Sequence, residues 1–162
     1  MRAVVLADTH LKTTSVRRLP AVVVEACADA HVILHAGDVT DESLLRELEG
    51  FAPVIAVLGN NDVGLELPET RTFELDGVQV AMIHDSGPRA RRAARLHARF
   101  PDADLVVFGH SHIPWNEVGV DGQVLFNPGS PTQRRRQPFT TFGIVECSGG
   151  VLTRHEILRA EV

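Results

Sequence analysis

Several features that would assign a protein to a class at once are missing from this chain. None of its apolar runs is long enough to span a bilayer. The residues after Met1 do not form the charged, apolar and cleavage-site succession of a secretory signal. Low-complexity tracts, internal repeats and linker-like stretches are absent as well. These absences predict a cytoplasmic protein with no membrane association and, over residues 1–162, a single domain.

Cysteine is scarce, which argues against a disulfide framework. Cys27 lies in a helix-like segment and Cys147 in a strand-like one, and neither has a second cysteine at the spacing of a metal site or redox motif. We therefore expect two buried, reduced thiols.

An excess of positive charge is also lacking. The net charge of −5 argues against stable nucleic-acid binding, because proteins that hold nucleic acid are usually basic. The basic residues are nearly all arginines, and they form two clusters. The first is interpreted as the solvated face of a helix and comprises Arg89, Arg91, Arg92, Arg95 and Arg99. The second is either a solvated loop or a clamp for a substrate phosphate and comprises Arg134, Arg135 and Arg136.

The sequence does contain short β-branched runs that alternate with helical patterns, which predicts an α/β fold with a partly parallel sheet. Strands are expected at residues 2–7, 31–36, 53–58, 71–75, 78–83, 104–108, 114–119, 123–127, 141–147 and 150–157. Helices are expected at about 20–30, 41–49 and 88–99, with Asp41 as an N-cap and the third helix beginning near Pro88. The first half reads as βαβαβ, and the second half reads as mostly antiparallel, with hairpins at LDGV and VDGQV. So many strands with so few helices favour two packed sheets.

Asp, His and Asn follow the ends of the apolar runs. They are Asp8 and His10, Asp38, Asn60, His84, His110 and His112, and Asn127. Because ligands of α/β sheets bind outside the carboxyl ends of the strands, we expect these side chains to share one pocket. Residues two apart in extended backbone point to the same side, about 7 Å apart, which would bring Asp8 to His10 and His110 to His112.

Oxygen and imidazole donors without thiolate suit manganese, iron, nickel, cobalt or zinc. Two ions about 3.5–4 Å apart would fit such a set, and glycine at 37, 59 and 109 would let the backbone turn sharply beside them. Each piece alone has a plainer interpretation, since a single GD or GN after a strand is usually a turn. Burying all of these polar side chains without hydrogen-bond partners would cost free energy, however, and metal ions would satisfy them. The remaining histidines are interpreted as packed or solvated: His31, His97 and His155, with His35 in the core or behind a ligand.

In order along the chain, DTH, GD, GNND, H and GHSH resemble the motif set of the calcineurin-like metallophosphoesterases. The compact length and the segment NPGSPTQRRRQP resemble the small bacterial and archaeal YfcE-like phosphodiesterase group. The resemblance implies a four-layer αββα sandwich of two mixed β-sheets flanked by helices. It also implies two divalent metal ions, with manganese expected and nickel, iron, cobalt or zinc as alternatives.

The same resemblance implies the roles of individual residues. Asp8, His10 and His112 would hold one ion. Asn60, His84 and His110 would hold the other, and Asp38 would bridge both. Asp38, Asn60 and His110 are the expected catalytic residues. The implied reaction is attack by a metal-bound hydroxide on the phosphorus of a small-molecule phosphodiester.

Two residues depart from the family pattern. Larger members carry a histidine, a candidate proton donor, where this chain has Asn61, and this predicts a preference for good leaving groups. A glycine often follows the histidine at position 84, but here the residue is Asp85, either a surface turn residue or a partner of a metal ligand. Trp115 would pack at a sheet edge or stack on a nucleobase.

The alternative function is a catalytically weak or inactive protein-binding scaffold. The resemblance extends to a retromer scaffold subunit of the same fold, whose metal site is degraded and lacks a motif histidine. All seven ligand positions are filled here, which favours an enzyme. Monomer and homo-oligomer both remain open, and NPGS is expected to shape the pocket rather than to contact phosphate.

Overall fold

A computed structural model describes residues 1–12 and 18–161. In these residues the helices are α1 (Ala21–Ala28), α2 (Glu42–Glu49) and α3 (Arg92–Arg99). The strands are β1 (Arg2–Leu6), β2 (Val32–His35), β3 (Val54–Ala56), β4 (Thr70–Leu75), β5 (Val78–Ile83), β6 (Leu105–Val107), β7 (Trp115–Val118), β8 (Val124–Asn127), β9 (Thr141–Ser148) and β10 (Val151–Arg159). All ten expected strands are confirmed among the described residues. No helix in this part of the chain is long and apolar enough to cross a bilayer.

The strands form two mixed sheets of five strands each among the described residues, in the orders β10-β9-β1-β2-β3 and β4-β5-β6-β8-β7. In the first sheet β1, β2 and β3 run parallel, as the βαβαβ pattern predicts. In the second sheet β5, β6 and β8 also run parallel. The antiparallel expectation for the second half therefore holds for β4–β5, β7–β8 and β9–β10 but not for the centre of this sheet.

Apolar residues alternate along the strands and form three cores in layers. One face of β1, with Val5, packs between the sheets against residues such as Phe126 of β8. The other face, with Leu6, packs against α1 and α2 through Val23 and Leu48. The outer face of the second sheet packs against Leu96 of α3. The layers are thus helices, sheet, sheet and helix, and the predicted αββα sandwich is confirmed.

Local sequence signals explain two connections. Asp41 caps α2 as predicted, because its carboxylate accepts a hydrogen bond from the Ser43 N–H at 2.9 Å. LDGV forms the two-residue hairpin between β4 and β5, with φ of 48° at Asp76 and 85° at Gly77. Both angles are in the left-handed region that this hairpin turn requires.

The expectation that α3 begins near Pro88 is wrong, since the helix begins at Arg92. The guanidinium of Arg95 donates to the carbonyls of Ser86, Pro88 and Ala90, at 2.6 to 3.1 Å, and so holds residues 86–91 as a loop. A contact between a helix and the loop before it is not visible in the local pattern.

The solvated-face interpretation of the first arginine cluster is therefore only partly right. Arg89 and Arg92 lie over the ring of Trp115, at 4.9 and 4.8 Å from its centroid. Trp115 thus packs at the edge of the second sheet, which is one of its two predicted roles. The guanidinium groups of Arg89 and Arg92 cover ring surface that stacking on a nucleobase would need. Cys27 and Cys147 are buried free thiols, as predicted.

Candidate metal centre

The carboxyl ends of five strands bring the seven predicted ligand residues to one pocket between the sheets. Asp8 and His10 follow β1, Asp38 follows β2, and Asn60 follows β3. His84 follows β5, and His110 and His112 follow β6. A hydrogen bond joins the two sheets here, because the backbone N–H of His110 donates to the side-chain Oδ1 of Asp8 at 3.1 Å.

The backbone that presents these side chains is not extended, which corrects the argument from strand alternation. Asp8 and His10 have φ of 54° and 46°, and His110 and His112 have φ of 70° and 58°. Asp38 also lies in the left-handed region, with φ of 58°. Non-glycine residues rarely adopt this conformation, and it clusters at functional sites where surrounding contacts hold it. Tight turns after the strands, rather than strand geometry, bring the paired residues together.

One half of the pocket is formed by two imidazoles and two carboxylates. His10 and His112 stack with ring centroids 5.1 Å apart, and their Nε2 atoms are 3.2 Å apart. His112 Nε2 lies 3.6 Å from Asp8 Oδ1, and His10 Nε2 lies 3.5 Å from Asp38 Oδ2. Asp8, His10 and His112 each offer one ligand atom within 4.8 Å of the others, as a single cation would require.

The other half is formed around the side-chain oxygen of Asn60. This oxygen lies 2.9 Å from His110 Nδ1 and 3.1 Å from His84 Nε2. His84 Nε2 is also 3.5 Å from Asp38 Oδ2, so Asp38 lies between the two halves. A second group of mutually close ligand atoms comprises Asp8, Asp38 and His84.

In His84 and His112, a hydrogen bond at Nδ1 determines that Nε2 is the nitrogen that presents its lone pair to the pocket. His84 Nδ1 donates to the Ala36 carbonyl and His112 Nδ1 to the Gln133 carbonyl, each at 2.7 Å. In the neutral imidazoles Nε2 is therefore an acceptor. The Nε2 of neutral His84 would face two further acceptors, Asn60 Oδ1 and Asp38 Oδ2, and a cation would relieve that conflict.

Asp8 carries a buried acceptor that no other described residue satisfies. Its Oδ2 is fully shielded and has no hydrogen-bond partner among the described residues. Burial raises the pKa of this carboxyl to about 7, and the negative charge of Asp38 adds to the rise against the opposing charges of His84 and Arg135. An adjacent divalent cation would both satisfy Oδ2 and favour the ionised carboxylate.

Burial lowers the pKa of two of the imidazoles and so favours their neutral, ligating form. It lowers the pKa of His10, and it lowers that of His112 to about 4. His84 differs, because its hydrogen bonds with Asp38 and Ala36 outweigh burial and raise its pKa.

Asn61 and Asp62 hold Asp38 in place, and neither role was anticipated. Burial alone would raise the pKa of Asp38, but hydrogen bonds with His84 and Asn61 lower it instead. The Asp62 carboxylate accepts from the backbone N–H of Asp38, Thr40 and Gly59 at 3.0, 2.6 and 2.7 Å. The signal was present in GNND, since Asp at a turn commonly accepts backbone N–H groups.

The NPGS segment ties the turns of the two sheets together, in agreement with its predicted pocket-shaping role. Asn127 Nδ2 donates to the Gly109 carbonyl at 2.9 Å. The Ser130 hydroxyl donates to the Asp8 carbonyl at 2.7 Å, and the Thr132 hydroxyl donates to the Thr9 carbonyl at 2.5 Å.

His35 and Asp85 lie beside the predicted ligands, His35 as a core residue and Asp85 as a surface turn residue. His35 is fully buried in the core, and its Nε2 lies 3.0 Å from the Thr9 hydroxyl behind the Asp8 turn. Burial lowers the pKa of His35 to about 3, which keeps the ring neutral. Asp85 is an exposed turn residue whose Oδ1 accepts from the Gly87 N–H at 2.7 Å.

The predicted close approach at the glycines is present. A Cβ on Gly59 would overlap the backbone nitrogen of Asp38, and one on Gly109 would lie 2.9 Å from Ala7 Cβ. The donor set, the lone pairs that face the pocket and the unsatisfied Asp8 oxygen together fit divalent metal ions.

A family model described as the calcineurin-like phosphoesterase superfamily domain matches residues 1–150. The chain belongs to this superfamily. A probable metallophosphoesterase of Methanothermobacter thermautotrophicus is 39% identical to this chain over 135 residues, which are 81% of the chain and 77% of that protein. Membership in the calcineurin-like phosphoesterase superfamily supports a phosphoester hydrolase that binds divalent metal.

Solved structures share the fold at lower identity. A variant of Vps29 from Entamoeba histolytica superimposes with a TM-score of 0.77 and 22% identity, covering 98% of this chain and 99% of that one. An archaeal phosphodiesterase superimposes with a TM-score of 0.71 and 22% identity, covering 98% of this chain and all of that one (100%). At this identity the similarity establishes the calcineurin-like fold alone.

Proposed function

We propose that the protein is a phosphodiesterase that hydrolyses small phosphodiesters with two divalent metal ions, manganese being the expected metal. In this assignment Asp8, His10 and His112 hold one ion, and Asn60, His84 and His110 hold the other. Asp38 would bridge the two, in keeping with the position of its Oδ2 at 3.5 Å from both His10 Nε2 and His84 Nε2. The observation that carries the proposal is the buried Oδ2 of Asp8, which has no hydrogen-bond partner among the described residues, in a carboxylate whose Oδ1 lies 3.6 Å from His112 Nε2.

Bound divalent ions supply positive charge that stabilises the phosphoryl oxygens and lower the pKa of water toward about 7. The reaction adds one water to the diester and yields a phosphomonoester and an alcohol. The chain's own residues orient the site for this reaction. Asn61 and Asp62 hold the Asp38 carboxylate and its backbone, and the carbonyls of Ala36 and Gln133 fix the rings of His84 and His112.

His110 and Asn60 would contact the reacting groups from the exposed side of the pocket. His110 and Asn60 are exposed, whereas Asp8 and Asp38 are buried below them. A phosphate therefore enters from the side of His110, and this geometry supports His110 and Asn60 as catalytic residues together with Asp38. No side chain is required as a covalent nucleophile.

The second candidate function is a protein-binding scaffold without turnover, and the structural similarity to Vps29 is the observation that favours it. The two functions differ in what the pocket must hold. A scaffold does not need seven competent donors around one pocket, whereas a hydrolase with two metal ions does.

The deciding experiment strips the protein with a chelator and returns manganese, nickel, cobalt, zinc or ferrous iron in turn. Bound metal is measured by mass spectrometry, and hydrolysis is measured with bis(4-nitrophenyl) phosphate. The proposal expects two ions per chain and activity that depends on them. A folded protein that binds metal but hydrolyses no diester with any of them would support the scaffold instead.

A further inference from the structure

The rim of the metal pocket has one cationic side and one acidic side. One cavity, of about 480 Å³, includes Gln133, whose carbonyl accepts a hydrogen bond from His112. Its lining residues Arg134, Arg135 and Glu161 have a net charge of +1. Beside His84 and Asn60, a cavity of about 340 Å³ includes Glu69, Asp85 and Arg99, which sum to −1. A substrate with a second anionic group would meet attraction on the first side and repulsion on the other.

The loop on the cationic side is built into the metal pocket and is not a loose surface segment. The Gln133 carbonyl accepts the hydrogen bond that orients His112, at 2.7 Å. The Gln133 N–H donates to the Ser130 hydroxyl at 2.9 Å, and that hydroxyl in turn donates to the Asp8 carbonyl. Arg135 follows Gln133 by two residues, so it is close in sequence to the backbone that orients His112.

Arg134 and Arg135 of this loop differ in how their guanidinium groups are used. Arg134 donates to the Gln137 carbonyl at 3.1 Å and so closes its own turn. Arg135 is exposed, lies in the left-handed region with φ of 50°, and forms no hydrogen bond or ion pair with any other described residue. A non-glycine residue held in that conformation is rare and calls for an explanation.

The charge of Arg135 also acts on the predicted ligands nearby. Burial raises the pKa of Asp8 and lowers that of His10 and His112, and the positive charge of Arg135 is a further cause that lowers all three. Arg134 and Arg136 are not among the main causes of these shifts.

We propose that Arg135 is a specificity residue that binds a second anionic group of the substrate, a phosphate or carboxylate, on the His10 and His112 side of the pocket. The inference rests on the proposed phosphodiesterase function and narrows its substrate class. The preferred substrates are then small diesters with a further negative charge on one arm. An arginine fork suits such a group, because its paired N–H donors match the oxygens of phosphate or carboxylate.

The test compares two chromogenic diesters that differ by one phosphate: thymidine 5′-(4-nitrophenyl phosphate) and its 3′-phosphorylated form. The manganese-loaded wild type is expected to show a KM about tenfold lower for the 3′-phosphorylated diester, the size expected of one charge-assisted hydrogen bond. Arg135→Gln is expected to lose this preference with little change toward the other diester. Arg136→Gln, the matched control, is expected to keep it.

A binding measurement gives a second readout that does not need turnover. Calorimetry compares thymidine 3′,5′-bisphosphate with thymidine 5′-monophosphate, and the same preference is expected in the wild type and in Arg136→Gln but not in Arg135→Gln. Hydrolysis of both diesters at equal KM, or a preference that survives in Arg135→Gln, would overturn the role of Arg135 and leave the diesterase proposal standing. Binding that discriminates without hydrolysis would support Arg135 and overturn the diesterase.

Discussion

Asn61 holds Asp38 by both carboxylate oxygens. Its backbone N–H donates to Asp38 Oδ1 at 2.8 Å and its side-chain amide donates to Oδ2 at 2.7 Å. The residue that stands in place of a histidine proton donor is thus used to orient the proposed bridging carboxylate. An amide has no proton to release to a leaving group at neutral pH.

We therefore predict that the enzyme is strongly dependent on the leaving group and that Asn61→His weakens this dependence. Rates on a series of aryl and alkyl diesters should fall steeply with leaving-group pKa in the wild type. Asn61→Ala is the control, because it also loses the hydrogen bond from the Asn61 side-chain amide to Asp38 but introduces no acid. Asn61→His should exceed Asn61→Ala on alkyl esters by about tenfold or more, since general acids contribute about 100-fold or more when well placed. Equal turnover of aryl and alkyl diesters by the wild type would contradict the prediction.

Asp38→Asn should abolish activity and leave the fold intact. The substitution keeps the shape of the side chain but removes the negative charge between the two halves of the pocket. We expect kcat/KM to fall by more than about 100-fold, since even residues that only support metal ligands are worth about 10- to 100-fold. Circular dichroism would report the fold and mass spectrometry the bound metal.

Asp29→Asn is the matched control for that loss of charge, because Asp29 is exposed at the C-terminal end of α1. It should retain wild-type activity and metal content. An active Asp38→Asn variant would show that Asp38 does not bridge the ions.

Asp62→Ala should destabilise the protein and weaken metal binding, although Asp62 is not a proposed ligand. The variant leaves the buried N–H groups of Asp38 and Gly59 without their acceptor. Its free energy of unfolding should fall by about 3 kcal/mol, because at least two buried N–H donors would lose their hydrogen-bond acceptor. Asp41→Ala, which removes the N-cap of α2, should cost only about 1 kcal/mol and leave metal affinity unchanged. Urea denaturation and metal titration measure both effects, and similar metal affinities for the two variants would show that the Asp62 contacts are not needed for the site.

Cys27 should make the protein less stable at alkaline pH. Burial raises the pKa of its thiol to about 12, from an ordinary value of about 9. Below pH 9 the thiol is protonated in both states, so the full stability is present. Between pH 9 and 12 only the unfolded chain loses the proton, and the free energy of unfolding falls by up to about 1.4 kcal/mol per pH unit.

Few other groups titrate in the same range, because the chain has no tyrosine, a single lysine, Lys12, and one other thiol, Cys147, which Cys27→Ala leaves in place. Urea denaturation of the wild type and of Cys27→Ala at pH 8 and pH 10.5 would compare the two slopes. The stability of the wild type should fall more steeply, and parallel slopes would show that the Cys27 thiol does not titrate differently in the two states.

Much of the fold was predictable, because it depends on patterns within a few residues. The β-branched runs predicted all ten strands, and Asp41 and LDGV act through neighbours in sequence. The start of α3 was not predictable, since it depends on Arg95 reaching back to Ser86, nine residues away. The parallel centre of the second sheet likewise depends on pairing between β5, β6 and β8, which are distant in sequence.

The sequence by itself determined which donors this protein has and that they follow strand ends, because residue identity and hydrophobic period are local properties. Only the tertiary structure decided how the donors meet. The left-handed turns at Asp8 and His110 are conformations that local patterns do not specify. The clamp of Asn61 on Asp38 and the bond from His112 to the Gln133 carbonyl join groups far apart in sequence. Packing of the two sheets supplies the contacts that hold these turns, and their energy compensates for backbone conformations that an isolated segment would not adopt.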